Sequence, residues 1–288
     1  MSREKKLECG FSMPAVGLGT WRMGGRETRD PEDDGTSSVE ALIAGIELGY
    51  RQIDTAEMYA GGFTEELVGR AIAGFDRASL FLTSKVWKTH LHYDDVLRAA
   101  EGSLRRLGTD YLDLYLIHQV NPDVPLRETM RAMNRLVDEK VIRGIGVSNF
   151  SVERFRHAQD WADSKLLANQ VHYNLKVREA ERSGLLKYCQ ENDVMLIAWC
   201  PFQKGGLLEE TPECLKEAAA EAGLTPSQTA LSWLTSQKNV VTISMSHSRE
   251  HLEENLRAGE QILSEDAIEF LRREYPGQTD VSEAVPLS

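Results

Sequence analysis

Asp54, Tyr59, Lys85 and His118 are the residues whose types and spacing could do chemistry together. A tyrosine phenol has an ordinary pKa near ~10, too high for efficient proton exchange at neutral pH. A nearby ammonium stabilises the phenolate and lowers that value. Lys85 can supply the ammonium, and Asp54 can keep it charged and oriented. His118 offers a hydrogen-bond donor to a carbonyl oxygen. Such a set can pass a proton to that oxygen while hydride arrives at the carbon. No side chain carries hydride, so the reaction needs a nicotinamide cofactor. Taken singly, each residue has a plainer reading. A lysine ending a strand is more often a solvated charge, His118 beside Ile117 can be a core imidazole, Asp54 before Thr55 a helix cap, and Tyr59 a loop aromatic. What favours chemistry is their common place in the pattern of elements.

That pattern alternates. Val39, Leu42, Ile43 and Ile46 follow the i, i+3, i+4, i+7 spacing of a buried helix face. A short strand follows at Arg51–Asp54, a helix at Phe63–Ala73 and a strand at Leu80–Ser84. Leu97, Ala100, Leu104 and Leu107 mark the next helix face. The strand Leu112–Ile117 precedes a helix over Glu128–Glu139, and the strand Ile142–Val147 precedes a helix capped by Ser151. Asn169–His172, Val194–Ala198 and Val240–Ile243 supply later strands. Thr225-Pro-Ser-Gln228 reads as a capping box with proline at the first helical position. The polar segment Gly24–Gly35 reads as a flexible surface loop.

Strand and helix alternating about eight times in about 250 residues predicts a single (β/α)8 barrel domain spanning 1–288. A doubly wound sheet alternates similarly, but its GxGxxG marker is absent: Gly17-Leu-Gly19-Thr-Trp-Arg lacks the third glycine and the following helix. Barrel sites lie at the carboxyl ends of strands. Asp54 ends the second barrel strand with Tyr59 one short loop later, Lys85 ends the third and His118 the fourth. Neighbouring strands should bring all four to one mouth.

The chain has 288 residues and a net charge of −12. An acidic chain with no Lys/Arg stripe is a poor candidate for binding nucleic acid or anionic lipid. The start, MSREKKLECG, has no apolar signal region, and no apolar run approaches the ~20 residues of a membrane span. Cys9, Cys189, Cys200 and Cys214 show neither CxxC nor zinc spacing and fit reduced thiols in a cytoplasmic protein. His90 and His92 around Leu91 are too few to make a metal site, so none is expected. Glu57 either tunes Tyr59 or is solvated.

The motifs carry a resemblance. Gly49-Tyr-Arg-Gln-Ile-Asp-Thr-Ala-Glu-Met-Tyr59 resembles the aldo-keto reductase signature around its catalytic Asp and Tyr. Ser84-Lys85-Val-Trp resembles its Lys motif, and Asp110-Tyr-Leu-Asp-Leu-Tyr-Leu-Ile-His118 its His motif. Ile145-Gly-Val-Ser-Asn-Phe150 and Asn169-Gln170 resemble its nicotinamide-amide site. The match runs from about Pro14 to Asn255 and looks closest to bacterial reductases of small aldehydes such as methylglyoxal.

The resemblance implies a barrel with an N-terminal β-hairpin closing its bottom, and NAD(P)H-dependent reduction of aldehydes and ketones with Tyr59 as general acid. Asp54 is implied in both catalysis and coenzyme binding. Gly19, Thr20 and Trp21 would line coenzyme and pocket. Ser148, Asn149 and Gln170 would bind the carboxamide. Trp199 stands where a tyrosine usually stacks on nicotinamide, and an indole can stack equally well. Cys200, Pro201, Phe202, Lys204 and Gly205 would pass under the pyrophosphate. Ile243 and Ser246 would also contact coenzyme. Arg249 would meet its phosphate at a helix N-terminus, and Glu254 and Asn255 its adenine. Trp21, Met23, Met58 and Trp87 are candidate pocket walls, with core packing as the other reading of the two methionines.

The sequence departs from the family where NADPH carries its 2′-phosphate. Met245 replaces a common lysine and His251 a common arginine, while Ser246, Ser248 and Arg249 remain to bind it. The expected coenzyme is NADPH, with less discrimination against NADH than is usual. Gln119 replaces a frequent tryptophan, and the short chain after Tyr275 implies an open pocket. Two other readings stay open: a coenzyme-binding regulatory protein with little turnover, and an aldolase barrel using Lys85 as Schiff-base amine, which needs a low-pKa lysine that Asp54 opposes. The family analogy also implies a monomer.

Overall fold

A computed structural model of the chain describes residues 3–288. It begins with an antiparallel hairpin of β1 (Glu4–Lys6) and β2 (Ser12–Pro14). Then come β3 (Val16–Gly19), α1 (Thr36–Leu48), β4 (Gln52–Asp54), α2 (Phe63–Ile72), β5 (Phe81–Val86), α3 (Tyr93–Leu107) and β6 (Leu114–Ile117). α4 (Leu126–Asp138), β7 (Ile145–Ser148), α5 (Val152–Trp161) and β8 (Leu166–His172) follow. The last part holds α6 (Glu179–Arg182), α7 (Leu185–Glu191), β9 (Met195–Trp199), α8 (Gly206–Glu209), α9 (Glu213–Ala222), α10 (Pro226–Thr235), β10 (Val240–Ser244), α11 (Arg249–Ala258) and α12 (Glu265–Glu274).

β3 to β10 pair in parallel, each with its sequence neighbour, and β10 returns to β3 to close an eight-stranded barrel. The expected (β/α)8 architecture is therefore observed. Period-two alternation along the strands divides the apolar residues into two cores. Leu114, Leu116, Met195, Ile197, Val241 and Ile243 fill the barrel interior, joined from below by Leu7 and Met13 of the hairpin region. Asp193 fixes that plug by accepting the backbone N–H groups of Glu8 and Cys9 at 2.7 and 3.1 Å. The larger core lies between the outer strand faces and the helices. In α4, for example, the buried Thr129, Ala132, Met133 and Leu136 form one i, i+3, i+4, i+7 face.

One glycine is dictated by this packing. A Cβ on Gly17 would lie 2.6 Å from Cδ of the buried Gln52 side chain on the adjoining strand, so any larger residue there would force that side chain to move.

Local signals behave as their chemistry requires. Ser151 caps α5 through the N–H of Arg154, and Thr225 with Gln228 forms a complete capping box on α10. Some boundaries shift. β5 runs through Val86, one residue past the expected strand end at Lys85, and β8 starts earlier than expected, at Leu166. Leu112 and Ile142 pair only as an isolated bridge ahead of their strands. The segment 24–35 is largely exposed but internally tied. Asp33 accepts the N–H groups of Gly24 and Gly35, Gly25 pairs with Arg29, and the Arg29 guanidinium lies 3.8 Å from the Phe63 ring centroid. Composition alone reads such a segment as loose because these ties depend on spatial partners.

Candidate active site

The carboxyl ends of β4, β5 and β6 bring the four expected residues together. Asp54 is the last residue of β4, Lys85 lies in β5, and His118 follows β6 with its N–H on the Val86 carbonyl at 3.0 Å. Tyr59 enters from the turn after β4. Lys85 Nζ donates to Asp54 Oδ1 at 2.5 Å, to the Thr55 carbonyl at 2.8 Å and to Tyr59 Oη at 3.2 Å. The three donors of an ammonium are thus all used. Gln170 Nε2 donates to the other Asp54 oxygen at 2.7 Å. The rings of Tyr59 and His118 meet edge to face with centroids 5.5 Å apart.

All four side chains are buried, and that sets their protonation. Burial pulls Lys85 down, but the Asp54 carboxylate and the Tyr59 oxygen outweigh it and hold the lysine charged, above its ordinary value. Burial and the Lys85 charge push His118 well below the usual imidazole range, so it is neutral at pH 7 and carries one N–H. Its Nδ1 is buried without a partner, a polar atom that awaits one. Tyr59 departs from the sequence expectation. Burial raises its pKa, Lys85 opposes, and burial wins. Spacing could show that a cation was near but not that the phenol would be dry. At neutral pH Tyr59 is a phenol with a proton to give.

Two tryptophans frame the mouth. Trp21 packs edge-on against Tyr59 at 4.9 Å, and Trp87 against His118 at 5.0 Å. Met58 is half-buried beside Tyr59. Met23, by contrast, is 1% exposed within the core that holds Phe63 and Leu67, so it presents no wall. Its apolar character was visible in sequence, but the turn that points it inward was not. Glu57 accepts the Trp87 N–H at 2.6 Å and meets His90 Nδ1 at 3.0 Å, thereby holding the Trp87 turn. Among the described residues no group of His, Cys, Asp and Glu could hold a metal ion.

The residues expected to hold a dinucleotide line the rest of the same rim. Gly19 ends β3, and Thr20 places both its N–H and Oγ1 on the Asp54 carbonyl, at 3.1 and 2.9 Å. Ser148, Asn149 and Gln170 form one cluster: Ser148 Oγ donates to the Gln170 carbonyl at 2.8 Å, and Asn149 Nδ2 donates to Ser148 Oγ at 3.0 Å and to the His118 carbonyl at 3.3 Å. Trp199 is half-buried and its indole N–H donates to Asn149 Oδ1 at 3.2 Å.

The turn after β9 has positive φ at Cys200, Gln203, Lys204 and Gly205, with Lys204 exposed. Pro201 is buried there, and Phe202 packs partly on the core. Ile243 is buried near the end of β10. Ser246 and Ser248 shape the start of α11, where Ser248 caps the His251 N–H. Arg249 is exposed, 3.5 Å from a Glu47 carboxylate oxygen, and Met245 is exposed. Asn255 Nδ2 lies 3.5 Å from Ser244 Oγ. The Glu254 carboxylate is occupied by the hydroxyls of Thr225 and Ser227, at 2.5 and 2.6 Å. A half-exposed indole face, amide side chains, exposed cations and a ten-residue helix with a capped N-terminus form a donor set suited to a nicotinamide dinucleotide.

Sequence reasoning missed three contributors: the Thr55 carbonyl on Lys85, the Gln170 amide on Asp54, and His172, whose ring stacks on Trp199. Only His172 left a signal, as a polar residue at the carboxyl end of a strand.

Known proteins resemble the chain over most of its length. The model of the aldo/keto reductase family matches residues 15–273. The chain is 36% identical over 269 residues to methylglyoxal reductase of Escherichia coli, covering 92% of each. It is 38% identical over 252 residues to glyoxal reductase of Bacillus subtilis, covering 87% of this chain and 84% of that one. Among solved structures, a thermostable aldo-keto reductase bound to the inhibitor epalrestat superimposes with a TM-score of 0.89 at 46% identity, covering 94% of this chain and 98% of that one. An aldo/keto reductase from Klebsiella pneumoniae, solved with NADP and acetate, gives 0.85 at 37% identity, covering all of both chains.

Proposed function

The chain belongs to the aldo/keto reductase family, and on that premise we propose that it reduces small aldehydes and ketones to alcohols with NADPH as coenzyme. The observation that carries the mechanism is the bridge of Lys85 Nζ between Asp54 Oδ1 and Tyr59 Oη. A bound reduced nicotinamide would supply hydride to the carbonyl carbon.

The chain's own residues do the rest. His118, neutral and with one N–H, orients the carbonyl oxygen by hydrogen bonding. Tyr59, still protonated, gives its proton to that oxygen as negative charge develops there. Lys85 steadies the phenolate left behind, at the distance of a hydrogen bond. Asp54 balances the Lys85 charge, which has no water to screen it. Ser148, Asn149 and Gln170 would hold the carboxamide, Trp199 the nicotinamide face, Lys204 and the α11 N-terminus the phosphates. Trp21, Trp87 and Met58 would shut water from the substrate.

Relatives named for methylglyoxal and glyoxal support a small aldehyde as substrate. The test is loss of reduced-coenzyme absorbance with methylglyoxal and an aromatic aldehyde, for the wild type and Tyr59→Phe. Turnover that the substitution abolishes supports the reading; full activity in Tyr59→Phe, or none in the wild type with bound coenzyme, overturns it.

A further inference from the structure

We propose that His172 is a positioning residue for the nicotinamide ring: its imidazole, held by Ser282, backs Trp199 and fixes the indole plane against which that ring lies. The inference rests on the functional reading above and adds a residue to it. His172 and Trp199 are cross-strand partners at the carboxyl ends of β8 and β9. Their rings stack with centroids 4.2 Å apart and planes within 12°. One indole face is therefore covered by an imidazole, and the indole edge is tied to Asn149.

The imidazole is fixed in turn at both nitrogens. Nδ1 lies 2.8 Å from Ser282 Oγ and Nε2 3.0 Å from Gln203 Oε1. Ser282 Oγ already accepts the N–H groups of Ala284 and Val285, so its proton is free for Nδ1. The Gln203 amide oxygen can only accept, so Nε2 carries the hydrogen. Both nitrogens are satisfied by a neutral ring in one tautomer. Burial keeps the ring neutral, pulling its pKa down to about 4. A neutral imidazole can stack closely on indole without the desolvation that a cation would incur.

Ser282 is itself anchored, its N–H on a Glu179 carboxylate oxygen at 2.8 Å. The segment after α12 also reaches the carboxamide site directly. The Ser288 N–H donates to the Asn149 carbonyl at 3.0 Å, and the Ser288 carbonyl accepts the Ser151 N–H at 2.9 Å. Two points of this segment thus brace the wall, Ser282 through His172 behind Trp199 and Ser288 at Asn149.

The experiment is an NADPH titration of wild type, His172→Ala, His172→Phe and Ser282→Ala. It is read by coenzyme fluorescence excited through indole, with thermal midpoints measured alongside. His172→Ala is expected to weaken NADPH binding about 2- to 10-fold, the range to which an aromatic pair's preference converts, and to reduce indole-sensitised emission. His172→Phe restores a flat backing and should recover most of both, whereas Ser282→Ala should fall between wild type and His172→Ala. Unchanged binding in His172→Ala, or equal loss in the alanine and phenylalanine variants, overturns the proposal while leaving the reductase reading intact. Failure of the wild type to bind NADPH removes both.

Discussion

Lys85 Nζ stands between Asp54 Oδ1 at 2.5 Å and Tyr59 Oη at 3.2 Å, with both the lysine and the aspartate almost wholly shielded from water. The ammonium therefore serves two partners at once, the Asp54 carboxylate and the Tyr59 oxygen, the second anionic only while its proton is away. The two roles can be separated by substitution.

Removing the phenolic oxygen leaves the ion pair intact. Tyr59→Phe should lower turnover by at least the ~100-fold expected of a lost general acid, with NADPH affinity close to wild type. Steady-state rates beside a fluorescence titration measure the two separately.

Removing the anion leaves a buried cation alone. Asp54→Asn should cost about 3–5 kcal/mol of stability, as breaking a buried pair at one partner does. Asp54→Leu with Lys85→Met, which removes both charges, should regain most of that stability and none of the activity. Denaturant unfolding with a rate assay distinguishes the outcomes; an inactive double variant as unstable as Asp54→Asn would contradict the pairing argument.

Coenzyme choice should respond to Met245. It is exposed beside the α11 N-terminus, where the exposed Arg249 is shared with Glu47. Wild-type binding constants for NADPH and NADH should lie well within a thousandfold of each other. Met245→Lys should raise the NADPH/NADH affinity ratio about tenfold, the scale of one charge-assisted hydrogen bond. An unchanged ratio would place the 2′-phosphate elsewhere.

Acid should destabilise the fold through His172. Its folded value is about 4, against an ordinary 6.5. Between these values the unfolded chain binds the extra proton, so the contribution is fully present above pH 6.5 and is lost as pH falls toward 4. The loss approaches about 3 kcal/mol. His118, also held low by burial, acts in the same direction. Unfolding curves from pH 7 to 4 should be less steep in His172→Phe than in wild type.

Much of this was legible in the chain. Strand–helix alternation specified the barrel because each strand and each helix face has its own apolar period, and barrel geometry then placed Asp54, Lys85 and His118 at one mouth. Residues joined through space were harder to read. The bond from Gln170 to Asp54 links positions 116 apart, and no local pattern encodes it. The protonation of Tyr59 turned on burial against one cation, a comparison that needs the folded surroundings. Met23 shows the same limit, since a side chain's direction out of an irregular turn has no period to reveal it.

The plug formed by Leu7 and Met13 beneath the barrel has a kinetic consequence. With the floor sealed and the interior packed, all traffic must share one doorway. Of two reactants using the same doorway, the one seated deeper arrives first and departs last. Trp199, tied to Asn149 by its indole N–H, would hold the dinucleotide at this rim, and the two mouth tryptophans flank Tyr59 and His118. An ordered sequence, with the dinucleotide binding first and the product leaving ahead of it, is the expected outcome, and product-inhibition patterns check it.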